Sequence, residues 1–268
     1  MRKMLFLAAL TAAAVNAGEI KIDGSTTVGP IVKAFAEAFM KQNKGVNISV
    51  SESGSGNGAK SLGNKACDIA MLSRPLKETE FKAAAEKGIQ PMPAVIAYDA
   101  IVMIVHPSNP VKNLTLEQVS KIYAGEIKNW KDVGGADSEI VAVTRDSNSG
   151  TFESFNHLVM GKAKIAASAE VVGSNGAARQ RVQTTKGAIA FVGIGYLDKS
   201  VKGLNVEGVE PAPETVVSGE YKISRPLFIF TDGAPAMGSE LFRFVNFYLT
   251  KDGQKIVEET GFVPVTQY

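Results

Sequence analysis

Thr144-Arg145-Asp146-Ser147-Asn148-Ser149-Gly150-Thr151, continued by Phe152-Glu153-Ser154-Phe155, is the stretch from which this chain is read. The apolar run Ile140-Val141-Ala142-Val143 leads into it as a buried strand. Phe152, Phe155, Leu158 and Val159 then recur at helical spacing, so a helix is expected from Ser149 or Gly150. A strand thus delivers one arginine, a short polar loop follows, and a helix opens with Ser-Gly-Thr. The first N–H groups of a helix have no partner inside it, and its dipole is positive at that end. Gly150 lets a ligand approach the backbone, Ser149 and Thr151 add hydroxyl donors, and Arg145 supplies a planar, permanently charged fork suited to an oxyanion. One reading is an anion cup; the other is a plain helix N-cap. The stretch alone does not choose between them.

Two more stretches repeat the pattern. Ile20-Lys21-Ile22 reads as a strand, followed by Asp23-Gly24-Ser25-Thr26-Thr27 and a helical period through Val28, Ile31, Val32, Phe35 and Phe39. Val46 to Val50 alternates as a strand and ends in the loop Ser53 to Gly58, before a short helix near Ala59 to Leu62. Cys67 to Leu72 reads as a further strand, with Ser73-Arg74-Pro75-Leu76 at its carboxyl end. Strands alternating with helices indicate an α/β fold. In open α/β sheets, ligands bind beyond the carboxyl ends of the strands. Three Ser/Thr/Gly loops meeting there can bind an anion through N–H and hydroxyl donors.

The rest of the chain narrows the class. Met1 to Ala17 has a basic start (Arg2, Lys3), an apolar stretch from Met4 to Ala14 and the small-residue end Val15-Asn16-Ala17. It reads as a secretory signal peptide cleaved near Ala17, and the lack of a cysteine there argues against a lipid anchor. No later segment approaches the roughly 18 apolar residues of a membrane span. Of the 29 basic residues, Arg2 and Lys3 leave with that peptide, so 27 face 27 acidic ones. With no basic run, no nucleic-acid partner is expected. The single cysteine, Cys67, beside an apolar run, reads as a buried small apolar group. It and the two histidines, His106 and His157, do not make an ordinary zinc site, and no metal or cofactor is expected. No G-x-S-x-G, no phosphate-binding G-x-x-x-x-G-K-[ST] and no histidine in a triad context occur, which argues against an enzyme.

Several segments together give this chain a family likeness. They are Gly24-Ser25-Thr26-Thr27-Val28-Gly29-Pro30, the Ser53–Gly58 loop, Asp68-Ile69-Ala70 through Leu76, Asn113 to Val119, Gly125 to Gly135 with Trp130, Arg145 to Thr151, and Gly187 to Phe191. Over nearly its whole mature length the chain resembles the periplasmic phosphate-binding proteins of ABC-type phosphate importers. The resemblance implies a two-lobed periplasmic binding protein of the class II type, each lobe a mixed sheet flanked by helices, with two crossover strands as hinge. The crossings would fall near Tyr98 to Val105 and near Ile223 to Phe230. Lobe one would hold residues 18–99 and 226–268, and lobe two 100–225. Trp130 is expected to pack rather than to touch ligand, and His106 to be structural.

The resemblance also implies roles, residue by residue. Thr26 and Thr27 match the first ligand loop, Ser55 the second, and Arg145, Ser149, Gly150 and Thr151 the second lobe's arginine and Ser-Gly-Thr. Ser73 falls where some members carry an aspartate that accepts the proton of monohydrogen phosphate. Asp146 is a further candidate, either as a substitute carboxylate or as a brace for Arg145, and Arg74 is the rival cation. The implied function is capture of inorganic phosphate in the periplasm for delivery to the importer's inner-membrane permease. A binder of another oxyanion (sulfate, phosphonate or arsenate) is the nearer alternative, and a secreted phosphate-ester hydrolase the more distant one.

Overall fold

The computed structural model describes residues 19–266; the segment read as a signal peptide, 1–17, lies outside the described residues. Strands β1 (Glu19–Gly24), β2 (Asn47–Ser51) and β3 (Ile69–Leu72) run parallel, in the order β2-β1-β3. Parallel neighbours need crossovers, and α1 (Gly29–Gln42) and α2 (Ser55–Gly63) provide them. Ile31, Val32, Phe35 and Phe39 form the buried face of α1, at the spacing seen in the sequence. After α3 (Glu78–Ala85) comes β4 (Pro91–Val105), a 15-residue strand that serves both halves of the molecule.

The middle of the chain follows: β5 (Asn113–Leu114), α4 (Leu116–Tyr123), β6 (Val141–Arg145), α5 (Gly150–Phe155), β7 (Glu170–Val172), α6 (Asn175–Thr184) and β8 (Ala188–Gly193). The short β9 (Lys202–Gly203) and β10 (Asn205–Val206) and helix α7 (Pro213–Val217) lead to β11 (Ser224–Asp232). Helices α8 (Glu240–Val245) and α9 (Lys251–Glu259) then return to the first half, where Phe244 and Phe247 meet Phe35 and Phe39 edge-on. The full strand order is β2-β1-β3-β11-β4-β8-β6-β7. It is a mixed α/β arrangement, because β11 lies antiparallel to both β3 and β4 and β8 antiparallel to β4.

β4 and β11 are the two strands that cross between the halves. The first part of β4 pairs with β11, and Ile101 to Val105 pair with β8. The strand starts earlier than its apolar run suggests, because Pro91 and Pro93 hide it in the sequence. Over Pro91 to Ala97 its ladder runs to β11 alone, and a free edge tolerates a residue without an N–H. The second Ser/Gly loop is also shorter than expected. Gly54 takes a φ of +99°, open to glycine, and α2 already starts at Ser55 rather than near Ala59. Cys67 is buried, and burial first, then Asp23 and Asp68, push its thiol up to about 12. Trp130 is 1% exposed and donates from Nε1 to the Gly187 carbonyl at 2.9 Å, so two of the family-marker segments pack on each other. His106 bonds Ser108 within an exposed turn, through Nδ1 at 2.7 Å.

Charge enters the crossing at one place. Asp99 of β4 and Arg225 of β11 are direct cross-strand partners. Both are buried, and Asp99 Oδ2 accepts from Arg225 Nε at 3.0 Å and Nη2 at 2.8 Å. Asp99 Oδ1 accepts from the Ile194 N–H at 2.9 Å. Burial pushes the carboxyl up and the guanidinium down, and their mutual attraction opposes both. Removing one partner strands a buried charge, so Arg225→Met is expected to cost about 3–5 kcal/mol of stability. Adding Asp99→Leu should return part of that loss. Urea denaturation without phosphate checks this; a double variant no more stable than the single one would contradict the pairing.

Candidate functional site

Arg145 ends β6, and α5 begins at Gly150 with Ser149 as its N-cap, the Ser149 hydroxyl accepting from the Phe152 N–H at 3.2 Å. The cap reading is therefore correct, and the anion-cup reading is compatible with it. Arg145 is 2% exposed. Its Nε donates to the Val172 carbonyl at 3.1 Å, and its Nη2 to the Gly173 carbonyl at 3.0 Å and to Thr26 Oγ1 at 3.3 Å. Its Nη1 is buried and has no hydrogen-bond partner among the described residues. Burial, aided by the Arg225 charge and opposed by Asp146 and Tyr196, brings the guanidinium down to about 10. It stays charged at neutral pH, and it has the desolvation cost of a cation without a carboxylate against it.

The other predicted residues converge on the same place. Thr26 and Thr27 are buried at the end of β1, and Thr27 Oγ1 lies 2.9 Å from Thr151 Oγ1. Ser55 and Ser73 are buried side by side, with hydroxyls 3.3 Å apart and the Ser73 N–H donating to Ser55 Oγ at 3.1 Å. Gly150 faces them closely enough that a Cβ there would stand 2.4 Å from Ser55 Oγ and 2.6 Å from Ser73 Oγ. The Gly56 N–H donates to the Asn148 carbonyl at 3.0 Å, and Ser154 Oγ to the Ser73 carbonyl at 3.3 Å. Loops from the two halves of the sheet are thus in contact, and their Ser/Thr hydroxyls lie between them.

The two further candidates stand apart from that arrangement. Arg74 makes a two-contact pair with Glu80, at 2.8 and 2.7 Å, and its Nε lies 2.9 Å from Glu153 Oε2, which Lys77 also meets at 2.7 Å. These carboxylates neutralise it, and it is no rival to Arg145. Asp146 accepts from the Asn148 N–H at 2.8 Å, a contact within its own loop, and its charge favours the ionised form of Arg145. Ser147 is exposed.

Four residues near the site were not singled out in the sequence. The Asn175 side chain donates to Thr26 Oγ1 at 3.0 Å and to Thr27 Oγ1 at 2.9 Å. Arg225 Nη2 donates to Thr151 Oγ1 at 2.9 Å, so a second cation stands behind the hydroxyls, held by Asp99. The Tyr196 hydroxyl donates to the Thr26 carbonyl. Ser174-Asn175-Gly176 after β7 repeats the polar strand-end chemistry that marked the other loops, and Asp99 is a lone acid in an apolar run. Both signals were present. Among the described residues no group of three or more His, Cys, Asp or Glu side chains is placed to hold a metal ion.

The PBP superfamily domain matches residues 10–252. The phosphate-binding protein PstS of Borreliella burgdorferi is 36% identical over 257 residues, covering 92% of this chain and 90% of that protein. A Clostridium perfringens substrate-binding protein, solved with phosphate bound, superposes with a TM-score of 0.86 at 36% identity, covering 93% of this chain and 100% of that one. An ABC-type phosphate transport receptor from Vibrio cholerae gives 0.74 at 35% identity, over 91% and 99% of the two chains. This family is one of solute-binding proteins without a catalytic role. The chain belongs to the phosphate-binding proteins of ABC-type phosphate importers, within the periplasmic binding protein superfamily.

Proposed function

We propose that this chain captures inorganic phosphate between two lobes, 18–99 with 226–268 and 100–225, and hands it to the inner-membrane permease of an ABC importer. The observation that carries the reading is the buried, unpartnered Nη1 of Arg145 amid hydroxyls from both halves. A buried polar group without a partner is costly, and an anion bonded to it offsets that cost. The relatives' bound phosphate and transport context support the choice of anion. The N-terminal sequence supports export, with cleavage near Ala17 and the mature protein in the periplasm.

The binding set is Thr26 and Ser55 with Ser73 on one lobe, and Arg145, Ser149, Gly150 and Thr151 on the other, with the Thr27 hydroxyl supporting Thr151 from behind. An anion favours the closed form because only there do both sets reach it. Asp146 acts by sustaining the charge of Arg145. The second reading, another oxyanion, is favoured by one observation: Ser73, a hydroxyl that donates as well as accepts, stands where a carboxylate would reject a proton-free anion. Competition of phosphate with sulfate, arsenate and a phosphonate separates the two, and equal binding of sulfate would favour the second.

Arg145→Ala is expected to weaken phosphate binding by about 2–5 kcal/mol, and Arg145→Lys to recover part, because one ammonium does not reproduce the fork. Titration calorimetry checks this, and near wild-type affinity for the alanine variant would contradict the assignment. Gly150→Ala sets a methyl against Ser55 and Ser73 when the lobes close. With saturating phosphate it should keep a larger radius of gyration in small-angle scattering than the wild type. A profile that contracts as fully as the wild type's would show that the lobes do not close on this contact.

A further inference from the structure

We propose that Asn175 is a specificity-determining residue: its amide turns the hydroxyls of Thr26 and Thr27 away from accepting, leaving a donor-only corner that takes only proton-free oxygens of the anion. The inference rests on the phosphate reading and concerns which face of the ligand this corner reads. Asn175 is fully buried at the start of α6, and its Oδ1 accepts from the Gly193 N–H at 3.3 Å. That contact fixes which end of the amide faces the threonines, so both Nδ2 hydrogens point there, one to each hydroxyl.

A hydroxyl has two acceptor sites and one proton. Thr26 Oγ1 accepts from Asn175 Nδ2 at 3.0 Å and from Arg145 Nη2 at 3.3 Å, so both acceptor sites are filled. Its proton is left for something else. Thr27 Oγ1 accepts from Asn175 at 2.9 Å and can give its own proton to Thr151 Oγ1, 2.9 Å away; Arg225 Nη2 lies 3.5 Å off, with its two hydrogens already on Asp99 and Thr151. Thr151 Oγ1 also accepts from Arg225 Nη2 at 2.9 Å, so its proton too is turned outward. With Arg145 Nη1, this makes three donor groups and no acceptor. A protonated ligand oxygen placed there would set a donor against donors. Any proton on a bound phosphate is therefore directed to the Ser55–Ser73 side, where hydroxyl acceptor capacity remains.

The charged and titratable groups around the corner are Arg145 and Arg225, with Asp99 behind Arg225, Asp146 beside Arg145, and the Tyr196 hydroxyl on the Thr26 carbonyl, itself within reach of the Arg179 and Glu52 charges. Asn175→Asp preserves shape and keeps a bridge between the halves, because the threonines can donate to the carboxylate instead. It removes the donors from the ligand, however, and adds an acceptor for a ligand proton. Asn175→Ala breaks the bridge without consuming the threonine protons.

The experiment is calorimetric titration with inorganic phosphate from pH 5.5 to 8, alongside thermal melts of each ligand-free variant. Wild-type affinity should rise with pH as phosphate loses its second proton. Asn175→Asp should lose about tenfold or more at pH 8, on the scale of a hydrogen bond to a charged group, and its pH slope should flatten or reverse. Asn175→Ala frees an acceptor site on Thr26 Oγ1 but leaves its proton, so it should lose less and show a slope between those of the wild type and Asn175→Asp. Thr26→Val, which removes one outward proton and leaves the amide, should lose affinity with the wild-type slope, and it serves if Asn175→Asp does not fold. A wild-type slope in Asn175→Asp, a larger loss in Asn175→Ala, or an unaffected Thr26→Val would each overturn the inference. No phosphate binding by the wild type would instead remove the reading on which it rests.

Discussion

The Asp99–Arg225 pair lies where the chain crosses between its two halves. Each residue sits on one of the crossing strands, and they face each other in register. The guanidinium reaches beyond Asp99 to the Gly150 carbonyl at 3.3 Å and to Thr151 Oγ1, both at the start of α5, while Asp99 holds the Ile194 N–H after β8. A buried ion pair adds little net stability over an apolar pair of similar size. Its consequence here is positional. It fixes one end of the hydroxyl cluster to the strands about which the halves are joined.

Two buried arginines then stand in one wall with different partners. Arg225 has a carboxylate in direct contact; Arg145 has carbonyls, one hydroxyl and an unpartnered Nη1. Repulsion between the two adds to burial in lowering the Arg145 guanidinium, although it remains cationic at neutral pH. A region with one more buried cation than anion attracts an anion of small size. The surrounding groups are hydroxyls and N–H donors, suited to oxygen atoms. The Arg74 cluster, by contrast, is balanced by Glu80 and Glu153 and joins the halves as a surface-side ion-pair network.

Much of this was legible because the relevant residues sit at strand ends in polar, glycine-containing loops. Thr26, Thr27, Ser55, Ser73, Arg145 and the Ser149–Thr151 opening all stand at or just after the ends of segments whose apolar runs or alternation mark them as strands, so the sequence order carried their location. Asn175 repeats the pattern after β7, but only three residues of that strand form and its burial pattern is weak, so no apolar run announced it. Arg225 was hidden for a different reason. It lies inside a strand recognised by its apolar content, and its role depends on register with Asp99, 126 positions away in the chain. Whether Arg74 or Arg145 faced the cluster was decided by their partners: for Arg74 the nearby Glu80 and the distant Glu153, for Arg145 the carbonyls after β7.

The central claim is that one anion bridges donors from both halves through Arg145 Nη1. A crystal structure of the phosphate-saturated protein tests it most directly. The account predicts a phosphate oxygen about 2.7–2.9 Å from Arg145 Nη1, the usual length of a charge-assisted contact, with other oxygens on Thr26 and Ser55 from the opposite half. Phosphate held by one half alone, or Arg145 Nη1 bonded to protein instead of ligand, would contradict it.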